Sequence, residues 1–155
     1  MNIEKYSEKT QKLIQAAQSM AQAGSHQYFT PVHVLKALTE DRDGLSARLI
    51  ALAGGNADAF AGAVEGAFNK IPSVTGGHTQ LYMHNDTAKL FNEAEAEAQK
   101  AGDSFVTADR LLVAALNTGE GAGILKAANI NLKTLKDAQA AFRKGKTADS
   151  ASAES

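Results

Sequence analysis

The chain has 155 residues, 17 of them acidic and 16 basic for a net charge of −1, and no cysteine. A near-neutral surface of mixed sign offers no electrostatic footprint for nucleic acid, and without thiols there are neither disulfides nor zinc–thiolate sites. No apolar run approaches the ~18 residues of a membrane span and the charged start Met1–Lys9 lacks the apolar core of a signal peptide, so a cytoplasmic chain without membrane contact is expected.

Alanine and leucine abound, only 6% of residues are aromatic, and the two prolines, Pro31 and Pro72, stand far apart. That balance favours helices over sheets. The first helix is expected to begin after Ser7, whose hydroxyl can take free backbone N–H groups at a helix start. Leu13, Ile14, Ala17, Met20 and Ala21 fall on one face of it, and Gly24 stops it. Thr30-Pro31 opens the second helix, a cap followed by the one helical position where proline costs little. Leu45, Leu49, Ile50 and Ala53 mark a third helix that ends at Gly54-Gly55. Asn56 caps a fourth, which carries Phe60, Val64 and Phe68. From Lys70 to Gln80 the composition is that of a loop.

The pattern then starts again. Thr10-Gln-Lys-Leu-Ile-Gln-Ala-Ala17 is answered by Thr87-Ala-Lys-Leu-Phe-Asn-Glu-Ala94. In the same ungapped register Tyr28-Phe29-Thr30-Pro31 meets Phe105-Val106-Thr107-Ala108, and Val34-Leu35-Lys36-Ala37 meets Leu111-Leu112-Val113-Ala114. Leu90, Phe91, Ala94, Ala98 and Ala101 form the stripe of a fifth helix, stopped at Gly102. Thr107 caps a sixth, with Asp109 in the first turn, where the helix dipole favours an acid. The register slips around Gly119–Gly123; Ile124, Leu125 and Ala128 then mark a seventh helix, and Asn131 caps an eighth with Leu132, Leu135, Ala138 and Phe142. One fold unit used twice is the simplest account. The expectation is an all-α chain of eight helices, arranged as two four-helix repeats related by a pseudo-twofold axis. Residues 1–71 form the first repeat, 72–80 the inter-repeat loop and 81–144 the second repeat. The small, polar tail 145–155 cannot bury enough to order itself and reads as a flexible linker.

Core, caps and turns are what repeat; reactive residues do not. His26, His33, His78 and His84 lack a His-Glu-x-x-His spacing and have no cysteine beside them, so no metal site is expected. Gly145-Lys146-Thr147 looks like the end of a phosphate-binding loop, but Ala140 stands where that loop needs glycine and a helix leads in place of a strand. Gly119, Gly121 and Gly123 fail as a dinucleotide fingerprint on the same ground. There is no Gly-x-Ser-x-Gly elbow and no serine plainly placed near a histidine and an acid. Glu93 and Glu97 share what reads as a solvated helix face. No catalytic residue, cofactor or metal is therefore expected in this chain. What remains is a binding surface, a groove along the meeting of the two repeats. Tyr6, Tyr82, Met83 and Phe91, apolar residues outside the main stripes, either line it or complete the core.

The runs Tyr28-Phe-Thr-Pro-x-His-Val-Leu-x-Ala-Leu38 and Gly102-Asp-Ser-Phe-Val-Thr-Ala-Asp-Arg-Leu-Leu112 resemble the Clp repeat domain at the N-terminus of Clp-class AAA+ unfoldases. The likeness covers nearly the whole folded part, and the opening Met1–Ser7 and the run Gly76–Met83 look most like the ClpB-type disaggregase branch. The resemblance implies a domain, mobile on its linker, that weakly binds exposed apolar stretches of unfolded or aggregated polypeptide for ATP-driven threading. ATP then belongs to AAA+ modules outside this chain, the full-length protein is a homo-hexamer cooperating with the DnaK chaperone system, and the isolated domain is a monomer. Carried over by position, the interaction surface comprises Ser7, Phe91, Asp103, Asp109 and Arg110, to which Tyr82 is added as an apolar substrate-binding candidate. Arg110 stands where relatives frequently carry an apolar residue, which is at odds with a fully apolar groove. The alternative is an adaptor-docking N-domain of a protease-coupled Clp unfoldase. A small helical hydrolase using His33 or His84 finds no support in the residues.

Overall fold

Each expected cap residue stands at the start of its helix. Ser7 opens α1 (Glu8–Ala23), Thr30 opens α2 (Pro31–Glu40), and α3 spans Leu45–Leu52. Asn56 opens α4 (Ala57–Asn69), and α5 spans Asn85–Lys100 behind His84. Thr107 opens α6 (Ala108–Leu116), α7 spans Gly121–Ala127, and Asn131 opens α8 (Leu132–Arg143). The Ser7 hydroxyl accepts from the Thr10 amide at 3.2 Å, and the side chains of Asn56 and Asn131 accept from the third helical amide of α4 and α8 at 2.9 Å each. Local capping of this kind depends on neighbouring residues alone, which is why the sequence reveals it. The computed structural model describes residues 1–75 and 80–154. His78 and the middle of the inter-repeat loop lie outside the described residues.

The helices obey the pseudo-twofold relation. Within each copy, α1 packs on α2 as α5 packs on α6, and α2 on α4 as α6 on α8. Between copies, α3 packs on α8 and α4 on α7, α1 meets α6 as α2 meets α5, and α2 faces α6 across the axis. Exchanging the two copies maps each of these contacts onto another or onto itself. The two copies are not side-by-side bundles with their own cores: the third and fourth helices of each copy pack on those of the other, and the two α2-type helices meet in the middle. One core results, with Leu35, Leu38, Leu49, Ile50, Leu90, Leu111 and Leu112 all fully buried in it.

Two short strand pairings fall outside helix-period reasoning. β1 (Tyr28–Phe29) runs parallel to β2 (Tyr82–Met83) with Tyr28 opposite Tyr82 and Phe29 opposite Met83. Tyr6 makes an isolated parallel bridge to Val106. In the repeat register Tyr6 corresponds to Met83 and Val106 to Phe29, so this is one pairing made twice. Each time, the residue ahead of one copy's first helix pairs with the residue ahead of the other copy's second helix.

The C-terminal tail departs furthest from expectation. Residues 145–154 do not project as an unpaired linker; they lie against the second copy and, at their far end, the start of α1 in the first. Ala148 is 1% exposed, and its carbonyl accepts from the Ser104 and Phe105 amides at 2.8 and 3.2 Å. The first copy explains why. Ser73 follows Asn56 by the same interval as Ala148 follows Asn131, and there Ser73 Oγ donates to the Gly24 carbonyl at 2.8 Å while the Val74 amide donates to that of Ser25 at 2.8 Å. The tail is thus the second copy's version of the segment leading into the inter-repeat loop. It is held by main-chain hydrogen bonds, which hydropathy does not register.

Candidate functional site

Four of the sequence-derived residues, Ser7, Asp103, Asp109 and Arg110, come together along the strip from the N-terminus of α1 to the N-terminus of α6. The strip is joined by the Ser7 amide donating to the Val106 carbonyl at 3.0 Å and the Val106 amide donating to that of Lys5 at 2.8 Å. At its centre is a charge network. The Asp103 carboxylate, 0% exposed, accepts from Arg110 Nε at 3.0 Å and Arg143 Nη2 at 2.5 Å. Arg143 Nε reaches Asp109 Oδ2 at 3.0 Å, where Gln139 Nε2 also donates at 2.9 Å, and the Thr107 hydroxyl donates to Asp109 Oδ1. Two acids and two guanidinium groups balance one another, which is what a desolvated cluster requires. Arg143 and Gln139 are site residues that sequence reasoning missed. Their signal was available: both stand on the inward face of the amphipathic α8, where a polar side chain needs a partner.

The remaining candidates fare differently. Phe91 is 1% exposed, with the Tyr6 ring edge-on at 6.0 Å and the Phe29 ring at 6.3 Å, so it belongs to the core and lines no groove. Tyr6 is 0% exposed and donates its phenol proton to Glu95 at 2.6 Å. Burial first, then the Glu95 carboxylate, push that phenol far above its ordinary range. Ser7 and Asp109 are likewise buried, at 0% and 3% exposure, because the tail and α8 cover them. Tyr82 does not join the strip. It lies on β2, exposed beside Tyr28 and Met83, with the two tyrosine rings 6.4 Å apart.

The first copy fills the equivalent of the charge network with a different chemistry. His26 and His33 stand at the positions of Asp103 and Arg110, and Phe68 at that of Arg143. His33 Nδ1 accepts from the Thr30 amide at 3.0 Å, so the neutral ring carries its proton on Nε2, which donates to His26 Nδ1 at 2.8 Å. Phe68 packs edge-on to both rings. Burial, then the neighbouring His26, hold His33 down to about 4; burial alone lowers His26. A proton on His26 Nδ1 would face the one on His33 Nε2, so this arrangement disfavours the charged form of His26. Among the described residues there is no group of three or more His, Cys, Asp or Glu able to hold a metal ion, and no helix is long and apolar enough to cross a membrane.

A doubled four-helix unit wound about one core, with a capped and charge-balanced strip between the copies, defines a helical repeat domain. The chain belongs to the family of the Clp repeat (R) N-terminal domain, whose model matches residues 5–128. It is 49% identical over 156 residues to the chaperone protein ClpB of Mesorhizobium japonicum and 48% identical over 157 residues to that of Rhodopseudomonas palustris, the matches covering 99% of this chain in each case. The chain spans 18% of the length of these relatives. Among solved structures, the N-terminal domain of Hsp104 from Candida albicans matches 97% of this chain and 99% of its own with a TM-score of 0.88 at 23% identity. The N-domain of ClpV from Vibrio cholerae matches 96% and 90% with a TM-score of 0.70 at 19% identity. These two likenesses concern the fold. The chain is thus a Clp repeat N-terminal domain, similar over nearly its whole length to one part of these much longer ClpB proteins.

Proposed function

We propose that this domain engages unfolded or aggregated polypeptide at the strip formed by Ser7, Asp103–Arg110 and the N-termini of α1 and α6. The observation that carries this reading is the tail itself. An irregular segment of small residues lies there, held by main-chain bonds from Ser104, Phe105 and Glu8 and by one buried alanine. A surface that holds one extended, nonspecific segment through its backbone suits others. Exposed Tyr28, Tyr82 and Met83 offer a separate apolar patch, on the β1–β2 pairing, for client side chains. Ordering costs offset a contact of this size, so micromolar or weaker affinity is expected. Six copies tethered in a homo-hexamer would recover avidity.

In this reading the domain feeds clients, in the cytoplasm, to ATP-hydrolysing modules carried by the rest of a ClpB-like chain, in cooperation with the DnaK system. The isolated domain is a monomer, and the residues after 144 lead toward those modules. The relatives' name, chaperone, supports this reading over docking of a folded adaptor. The test is an amide chemical-shift titration with a permanently unfolded polypeptide. Progressive shifts at Ser7, Asp103 to Arg110 and the tail are expected. No shift at hundreds of micromolar overturns the reading, and tight, stoichiometric capture of a folded partner would replace it.

A further inference from the structure

One interaction on the strip is more specific than backbone capture. The Glu154 carboxylate comes from the far end of the sequence to the place where the N-termini of α1 and α6 converge. Its Oε1 accepts from the Ser7 hydroxyl and from Thr10 Oγ1 at 3.0 Å, and its Oε2 accepts from the Ala108 amide at 3.0 Å. Ser7 and Thr10 are both 0% exposed. The Ser7 oxygen accepts from the Thr10 amide, and its single proton lies between the carboxylate and Thr10 Oγ1, the latter at 2.8 Å, so the two hydroxyls and the carboxylate form one hydrogen-bonded cluster. Ala108 is the first residue of α6, and its N–H has no partner inside the helix. Thr107 makes no side-chain cap on α6: its hydroxyl donates to Asp109 and accepts from Arg143 Nη2 at 3.1 Å. Two fully buried hydroxyls and one unshared helix amide thus aim at a single point, with two positive helix ends behind them.

The other copy shows that this arrangement is particular to the second. At the equivalent place Pro31 replaces Ala108 and has no N–H to give. His84 replaces Ser7, and Thr87, in the place of Thr10, spends its hydroxyl on the Phe29 carbonyl at 2.6 Å. Repeat symmetry alone therefore does not produce the cradle.

We infer that Ser7, Thr10 and the Ala108 amide form a carboxylate-binding subsite that accepts an acidic side chain of a bound extended polypeptide, and that Glu154 fills it from within the chain. The tail is then an internal competitor, and client segments bearing an acidic residue displace it best. The inference rests on the client-binding reading above for its second half only; the subsite and its internal occupant stand without it.

The experiment uses the full chain, its Glu154→Gln variant, and two synthetic peptides: the sequence of residues 146–155, and the same peptide with Glu154→Gln. Glu154 is partly exposed, so the variant chain keeps its core. In the free variant the Ala108 amide proton is expected to move upfield as its charged acceptor is lost. The acidic peptide should bind the variant about ten-fold more tightly than the parent chain, and about ten-fold more tightly than the amide peptide does, the value of a charge-assisted bond over a neutral one. An unmoved Ala108 amide overturns the subsite, and so do equal affinities for the two peptides. If an unfolded client shifts the strip while the peptides show no preference, the subsite falls and the client reading stands. If the peptides show the preference and no unfolded client binds, the reverse holds.

Discussion

Replacing Arg143 with methionine tests whether the buried charge network holds the second copy together. Arg143 is 12% exposed and bonds both Asp103, at 2.5 Å, and Asp109, at 3.0 Å. Methionine keeps most of the apolar stem and removes the charge. Asp103 then retains Arg110 at 3.0 Å and the Ala148 amide at 3.0 Å, whereas Asp109 is left with one amide and one hydroxyl. Removing one partner of a buried pair costs about 3–5 kcal/mol because the other charge stays desolvated. The surviving Arg110 contact and the position of Arg143 near the edge place the expected loss at the lower end, about 3 kcal/mol. Equilibrium urea unfolding followed by far-UV circular dichroism measures it. The double variant Arg143→Met with Asp109→Asn should recover about 1–2 kcal/mol, since the stranded charge is gone. A single-variant loss below about 1 kcal/mol, the range of exposed ion pairs, would refute the reasoning.

Phe91→Ala should cost about 3–5 kcal/mol of stability, as deletion of a core ring does, while Tyr82→Ala stays within about 0.5 kcal/mol; similar losses in urea melts would contradict the placement of Phe91 in the core. His33 binds its proton near 4 in the folded state, below its usual 6.5. Between those values the unfolded chain takes up a proton that the folded chain does not, so stability is full above pH 6.5 and declines toward pH 4. The loss reaches about 3 kcal/mol at ~1.4 kcal/mol per pH unit, and His33→Gln should remove that part of the profile; a ring titrating at its usual value by NMR rules the mechanism out. A Cβ on Gly121 would lie 2.0 Å from the Leu116 carbonyl oxygen, whereas one on Gly123, in the same helix, meets nothing within 4 Å. Gly121→Ala should therefore destabilise by about 3 kcal/mol, and Gly123→Ala should stabilise by up to about 1 kcal/mol. Thermal melts in which the two behave alike would show that α7 does not approach the end of α6 in this way.

How much was legible in the chain follows from the range of the interactions involved. Ser7, Asn56 and Asn131 announce their helices because a cap bonds an amide only three residues away. The apolar stripes announce one buried face per helix because the helical period is local, and the repeat register pairs the two copies one element at a time. Ser7, Asp103, Asp109 and Arg110 could be grouped on a family likeness carried by those same runs. Which surface covers each face was decided by tertiary structure. Two similar stripes fit two separate bundles as well as one shared core, and only the packing of α3 on α8 and α4 on α7 settles the choice. That packing, with the Tyr6–Val106 bridge, turned Phe91 from a groove residue into a core residue. The same limit explains Arg143 on the two aspartates, the neutral histidine pair in place of that network, and the tail whose Glu154 reaches Ser7 across nearly the whole sequence. Periodicity records which side of an element avoids water; it carries no information about the distant partner that excludes the water.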